Sequence, residues 1–212
     1  MIVGHKDKIV FLRVPKTAST SISDFLVQNF EFGENDIHTP VLYTKRTGLN
    51  CNIEDVHLNL EGIIKNNLIT EKQISEYQIF GLIREPVDRF ISIAHHTLIQ
   101  SSLASNKKLN NNEAVEIVLK NLNIKEGVFK PQTFWLIFKE IEINNIILYQ
   151  NINDLIKSIL GREEKLNLHY RSESRQDKTS VLAQDLVKEI NSIYKKDKDL
   201  YEKYYNKTQR RN

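Results

Sequence analysis

An α/β domain built on a central parallel sheet flanked by helices is the fold class this sequence predicts, and three observations predict it. The run Lys8 to Val14 is apolar and β-branched and leads at once into a helical pattern. Gln78 to Ile83 repeats the arrangement, and Asn145 to Gln150 followed by Asn151 to Leu160 gives it a third time. Strands that alternate with helices and lack a polar face suit a sheet covered on both sides. The chain has 212 residues, of which 40% are hydrophobic, enough for one domain with a sizeable core. No internal repeat or linker divides it, so a single domain over 1–212 is expected.

The elements follow in order. After the first strand, Ile22, Phe25, Leu26 and Phe30 recur at helical spacing, with Asp24 in the early turns to complement the helix dipole and an end near Gly33. The polar stretch to about residue 58 carries Pro40 and Gly48 and reads as a long loop, in which Pro40 to Tyr43 suits a short strand. Leu60 to Asn67 and Thr70 to Tyr77 read as short helices; Thr70 with Gln73 three residues on is a capping-box pattern. Pro86 takes the favoured first helical position, and Val87, Phe90, Ile91, Ala94 and Leu98 draw the apolar face of the helix it opens. Gln100 to Asn112 is polar and reads as a loop. Helices are expected from about Asn112 to Asn121, from about Pro131 to Glu140, and from Asn151 to a stop at Gly161. Residues 162 to 179 read as a loop, and Ser180 to Tyr205 as one last helix.

Composition sets bounds on function. A net charge of +3 suits an anionic ligand but falls short of a dedicated nucleic-acid binder. The single cysteine, Cys51, excludes an intramolecular disulfide framework. No window reaches the roughly 18–20 apolar residues of a membrane span, and no secretion signal precedes the first strand. The expected location is therefore cytoplasmic. No pair of histidines or carboxylates has zinc spacing, so no metal is expected.

Two segments carry the chemistry. In Pro15-Lys16-Thr17-Ala18-Ser19-Thr20-Ser21 a lysine and a row of hydroxyls stand where the first strand becomes a helix. Helix-start N–H groups and the positive end of the dipole favour an anion there. A Walker A loop would be glycine-rich with its lysine near the end, and neither condition is met. The plainer alternative is a capped helix with a solvated Lys16. In Arg84-Glu85-Pro86-Val87-Asp88-Arg89-Phe90-Ile91-Ser92 an arginine ends the second strand, its planar fork matched to phosphate, and Ser92 adds a hydroxyl two turns on. Surface pairs Arg84–Glu85 or Asp88–Arg89 are the alternative there. Together the segments describe a site for a ligand with two anionic ends.

In order, spacing and context this pair resembles the cofactor site of sulfotransferases dependent on 3′-phosphoadenosine 5′-phosphosulfate (PAPS), of the carbohydrate and heparan-sulfate type. The resemblance implies a fold related to P-loop nucleotide-binding domains and transfer of a sulfuryl group from PAPS to a hydroxyl, leaving 3′-phosphoadenosine 5′-phosphate (PAP). It makes Pro15, Lys16, Thr17, Ala18, Ser19, Thr20 and Ser21 the 5′-phosphosulfate loop, with Lys16 catalytic, and Arg84 and Ser92 the grip on the 3′-phosphate. Lys130 to Leu136, Ile146 to Leu160 and His169 to Ser174 look like later parts of the same type. By that likeness Arg171, Ser172 or Arg175 helps to close the cofactor site, with an exposed loop as the alternative. A soluble bacterial or viral member without a Golgi-type membrane anchor is implied.

Transfer to an alcohol needs a base for the hydroxyl proton. His57 is the favoured candidate, because relatives of this type place a histidine here facing the acceptor; a helix-cap histidine without function is the alternative. Glu54 and Asp55 are able to orient His57 or act themselves, and His38, His95, His96 and His169 are weaker choices. The implied acceptor is a glycan or small molecule, with no nucleic-acid partner; the oligomeric state stays open. Two other classes remain: a P-loop-like kinase, and a non-catalytic binder of an anionic saccharide or nucleotide.

Overall fold

The turn His5–Lys8 folds the start of the chain back on itself, pairing β1 (Ile2–Gly4) antiparallel with β2 (Ile9–Leu12). Such a tight connection can join only antiparallel strands, since a parallel pair needs a crossover of a dozen residues or more. The computed structural model that provides this view describes residues 1–29, 37–38, 57–101, 109–161 and 182–210. By its internal contacts the chain forms two compact units, Met1–Ile83 with Gln132–Leu168, and Arg84–Pro131 with His169–Asn212.

The first unit holds a five-stranded sheet. Its order is β3-β1-β2-β4-β7, where β3 is Ile37–His38, β4 is Gln78–Ile83 and β7 is Asn145–Leu148. β2, β4 and β7 are parallel, whereas β1 and β3 are antiparallel. The sheet is therefore mixed, a correction to the parallel sheet expected from sequence; the N-terminal hairpin is the cause. Helix α1 (Ser19–Asn29) and a later helix, Ile152–Leu160, cover one face, where Ile22, Leu26, Leu155 and Ile156 pack on Phe11, Phe80 and Leu82. Between them in the chain lie α2 (Leu60–Lys65) and α3 (Glu71–Ile74), the latter opened by the expected Thr70–Gln73 capping box. On β4 the intervening Gly81 points the other way. A Cβ there would stand 2.5 Å from Leu136 Cδ2 and 3.0 Å from Ile143 Cδ1, so only glycine permits this close approach.

The helix expected over Pro131 to Glu140 is a single turn, Thr133–Leu136, followed by a hairpin of β5 (Ile137–Phe138) and β6 (Ile141–Glu142). Lys139 and Glu140 make its two-residue turn with φ of 48° and 66°, the left-handed pair that a tight hairpin demands. Gly161, at φ 67°, closes the Ile152–Leu160 helix as expected.

The second unit is helical. It contains α4 (Pro86–Gln100), α5 (Asn111–Leu119) and, after the short helix Thr133–Leu136 (α6) and the helix Ile152–Leu160 (α7) of the first unit, α8 (Gln184–Ile193) and α9 (Lys195–Gln209). Phe90, Ala94, Leu98, Val115, Leu186 and Ile190 form its core. The single tail helix expected from sequence is broken at Tyr194, whose hydroxyl donates to Phe129 O at 2.8 Å. Arg89 is buried beside it and donates Nη2–H to Val128 O at 2.8 Å and Lys130 O at 3.0 Å. Burial pushes its guanidinium down to about 10, with the buried Asp197 opposing. Arg89 is thus a structural cation and stays charged at neutral pH. The expected strand over Pro40 to Tyr43, together with Phe30, Gly33, Gly48 and Cys51, lies outside the described residues.

Candidate active site

The parallel register of β2 with β4, Leu12 opposite Gly81, directs both strands out of the sheet at the same edge. Ligands of open α/β sheets bind outside the carboxyl ends of strands. The chain leaves β2 through Arg13-Val14-Pro15-Lys16-Thr17-Ala18 and enters α1 at Ser19. Lys16 and Ala18 lie at φ 65° and 60°. Left-handed backbone costs a residue with a Cβ about 1–2 kcal/mol, and such cost concentrates at functional turns.

Ile22 N–H donates to Ala18 O at 3.1 Å, which makes Ala18 the residue that caps the helix. Alanine has no side-chain acceptor. The amides of Ser19, Thr20 and Ser21 precede the first intrahelical donor, so the opening of α1 presents N–H groups and a positive dipole end. The hydroxyls divide. Thr17 donates its proton to Val14 O at 2.8 Å and ties the turn together, while Thr20 Oγ1 accepts from Arg13 Nη2 at 3.0 Å. Thr17, Ser19 and Ser21 are buried, and Lys16 is half-buried.

Arg13 was missed at the level of sequence, although an arginine inside Ile9-Val10-Phe11-Leu12-Arg13-Val14 is a visible signal. It is fully buried, and burial pushes it down to about 10 with Asp24 opposing. Burial likewise raises the carboxyl of Asp24, and Arg13 opposes. Asp24 lies beyond the first turn of α1, past the reach of the helix dipole it was expected to complement.

The backbone of Arg13 also positions His57. Nδ1 of His57 is 2.6 Å from Arg13 O. A carbonyl only accepts, so Nδ1 carries the hydrogen and the lone pair of the neutral ring is on Nε2. His57 O in turn accepts from Trp135 Nε1 at 2.8 Å, and Asn59 caps α2 through Gly62 N–H while donating to Phe134 O at 3.3 Å. Trp135 and Asn59 thus fix the segment that bears the imidazole.

Arg84 follows β4 and opens the second unit. Its side chain is 5% exposed, and Nε donates to Asp88 Oδ2 at 2.5 Å. Arg84 therefore pairs with Asp88, a partner not weighed from sequence. Glu85 caps α4 by accepting from Asp88 N–H at 2.6 Å, with Pro86 at the first turn as expected. Ser92 is half-buried on α4, eight positions after Arg84. Of the weaker base candidates, His95 Nε2 lies 2.8 Å from Asn111 Oδ1 in the second unit. Glu54, Asp55, His169, Arg171, Ser172 and Arg175 lie outside the described residues. Among the described residues no group of three or more His, Cys, Asp or Glu is arranged to hold a metal ion. Likewise, no helix among them is long and apolar enough to cross a membrane.

The lysine turn at the start of α1 and an imidazole hydrogen-bonded to the same strand end thus lie together at the exit of β2. A sequence model of the sulfotransferase family matches residues 1–121, and the chain belongs to that family. The match includes the Lys16 turn, His57, Arg84 and Ser92 and stops short of the segments from Lys130 onward. Searches of curated proteins and of solved structures returned no match.

Proposed function

We propose that the protein transfers a sulfuryl group from PAPS to a hydroxyl, with a carbohydrate as the acceptor and PAP as the second product. The exit of β2 carries this reading. There Lys16 stands at a left-handed turn before a helix led by Ala18, whose side chain has no acceptor, and His57 is held by the carbonyl of Arg13, three residues before Lys16.

The donor supplies an activated sulfuryl group on a phosphate leaving group. Lys16 and the amides at the start of α1 meet the charge that develops on that phosphate, which is where preorganised donors contribute most to rate. His57 Nε2 takes the proton of the acceptor hydroxyl as its oxygen bonds to sulfur and the sulfur–phosphate oxygen bond breaks. Arg84, with its fork aligned by Asp88, and Ser92 hold the 3′-phosphate. Pro15, Thr17, Ala18, Ser19, Thr20 and Ser21 shape the loop, and Arg171 and Ser172 close it. Positioning accounts for much of the remaining acceleration.

Calorimetry with PAP and ATP tests the donor. PAP is expected to bind at least tenfold more tightly than ATP. Equal or tighter binding of ATP would contradict the reading and favour a kinase.

A further inference from the structure

Trp135 is the one tryptophan of the chain, and its indole N–H donates to the carbonyl of His57 at 2.8 Å. It lies in α6, beyond the residues that the family model matches. An indole nitrogen donates and does not accept, so the bond runs in one direction only. The ring is buried, which shields the bond from competing water.

Trp135 is itself fixed from the sheet. Its neighbour Leu136 packs against β4 where Gly81 leaves room for it, and Leu136 O accepts from Ile143 N–H at 3.0 Å. The amides of Trp135 and Leu136 both donate to Gln132 O, at 3.0 and 3.1 Å, which closes the single turn of α6. The indole is therefore a braced arm that reaches from β4 to the main chain of His57. The imidazole is held from the other side, by the carbonyl of Arg13 at the exit of β2, 2.6 Å from Nδ1. One residue is thus located from two neighbouring parallel strands.

These two points decide the state of the ring. Histidine in water carries its neutral proton mainly on Nε2, and a carbonyl at hydrogen-bond distance from Nδ1 reverses that preference. The reversal requires the main chain of His57 to stay where its ring can meet Arg13 O. We infer that Trp135 is a positioning residue for the transfer: by fixing the main chain of His57 it keeps the proton on Nδ1 and the basic lone pair on Nε2. This rests on the reading of His57 as the base in sulfuryl transfer, whereas the tautomer is measurable without turnover.

The test combines nitrogen NMR of the neutral His57 ring, assigned by comparison with His57→Gln, with kcat and PAP affinity. The wild-type ring is expected to carry its proton on Nδ1. Trp135→Phe keeps an aromatic side chain in the core and removes the donor. Its His57 should become a mixture of both tautomers, and kcat should fall about tenfold to a hundredfold, as small misplacements of a reacting group cause. PAP affinity should stay within about twofold of wild type. Because the chain has one tryptophan, incorporation of benzothienylalanine changes Trp135 alone, to a ring of the same shape without the N–H, and serves if the phenylalanine variant does not fold. Ile156→Val, which thins the core under α7, is the control for stability alone and should leave both tautomer and kcat as in wild type. A wild-type ring protonated on Nε2, an undisturbed Nδ1 tautomer or unchanged kcat in the proteins without the donor, or equal disturbance by Ile156→Val would each overturn the proposal. A wild type that transfers no sulfuryl group would instead overturn the transfer reading, and the tautomer would still decide whether Trp135 positions His57.

Discussion

The exits of β2 and β4 are both strand-to-helix junctions, yet they are built in opposite ways. After β2 the turn takes two left-handed residues and ends in Ala18, whose side chain offers the helix amides no acceptor. After β4 the helix is capped by Glu85, braced by Pro86, and its arginine is already paired with Asp88. A helix start led by alanine and a strained turn are suited to charge that appears only during a reaction. A capped helix with an aligned guanidinium is suited to a phosphate that is fixed and unchanging. In the proposed reading the first junction carries the chemistry and the second the grip.

The sharpest way to break that division is His57→Ala. Loss of a general base costs about 10²–10⁴-fold in rate, and PAP affinity should stay within twofold. A variant that instead lost PAP binding and kept its kcat would place His57 on the wrong side of the comparison.

Arg84→Lys comes next. Lysine keeps the charge and loses the fork, and hydrogen bonds to charged groups are worth about 1.5–3 kcal/mol. PAP should bind about tenfold to a hundredfold more weakly by calorimetry, with kcat at saturating donor little changed. A fall in kcat with intact affinity would move Arg84 into the chemistry.

Ala18→Gly probes the strain. Relief of a left-handed alanine is worth about 1–2 kcal/mol, and the added freedom of the unfolded chain takes back about 0.4–1. The variant should be more stable by about 0.5–1 kcal/mol in urea unfolding. A loss of stability would show that the turn carries no strain.

The smallest effect concerns Asp24, whose carboxyl burial holds above its ordinary 3.8 against the opposing charge of Arg13. Between the ordinary and the raised value the folded state keeps a proton that the unfolded chain has lost, so stability falls as pH rises through that window. Asp24→Asn cannot titrate and should flatten this slope in thermal unfolding measured from pH 3 to 6. An unchanged slope would remove Asp24 from the account.

Much of this arrangement was legible in the residues, and what was not has physical reasons. β4 and the start of α4 follow from an apolar run and a proline, both local signals. The mixed sheet was hidden because the hairpin preceding β2 is short and its turn, His5-Lys6-Asp7-Lys8, lacks glycine or proline. The hairpin at Lys139–Glu140 was hidden for the same reason, since charged residues rarely take left-handed turns. Lys16 and Arg84 stood out because each stands between an apolar strand and the helix that follows it. Arg13, Trp135 and Asp88 did not, because their roles depend on partners that the fold brings near: Thr20 and His57 for the first two, and a carboxylate one helical turn from Arg84 for the third.

Transfer of labelled sulfate from PAPS to a panel of glycan acceptors, wild type against Lys16→Ala, tests the central claim most directly. Removing one such charge-stabilising group typically costs about 10²–10³-fold in kcat. The account predicts label on an acceptor with wild type and a loss of that size in the variant, with the thermal midpoint unchanged. Equal transfer by the two proteins would contradict it.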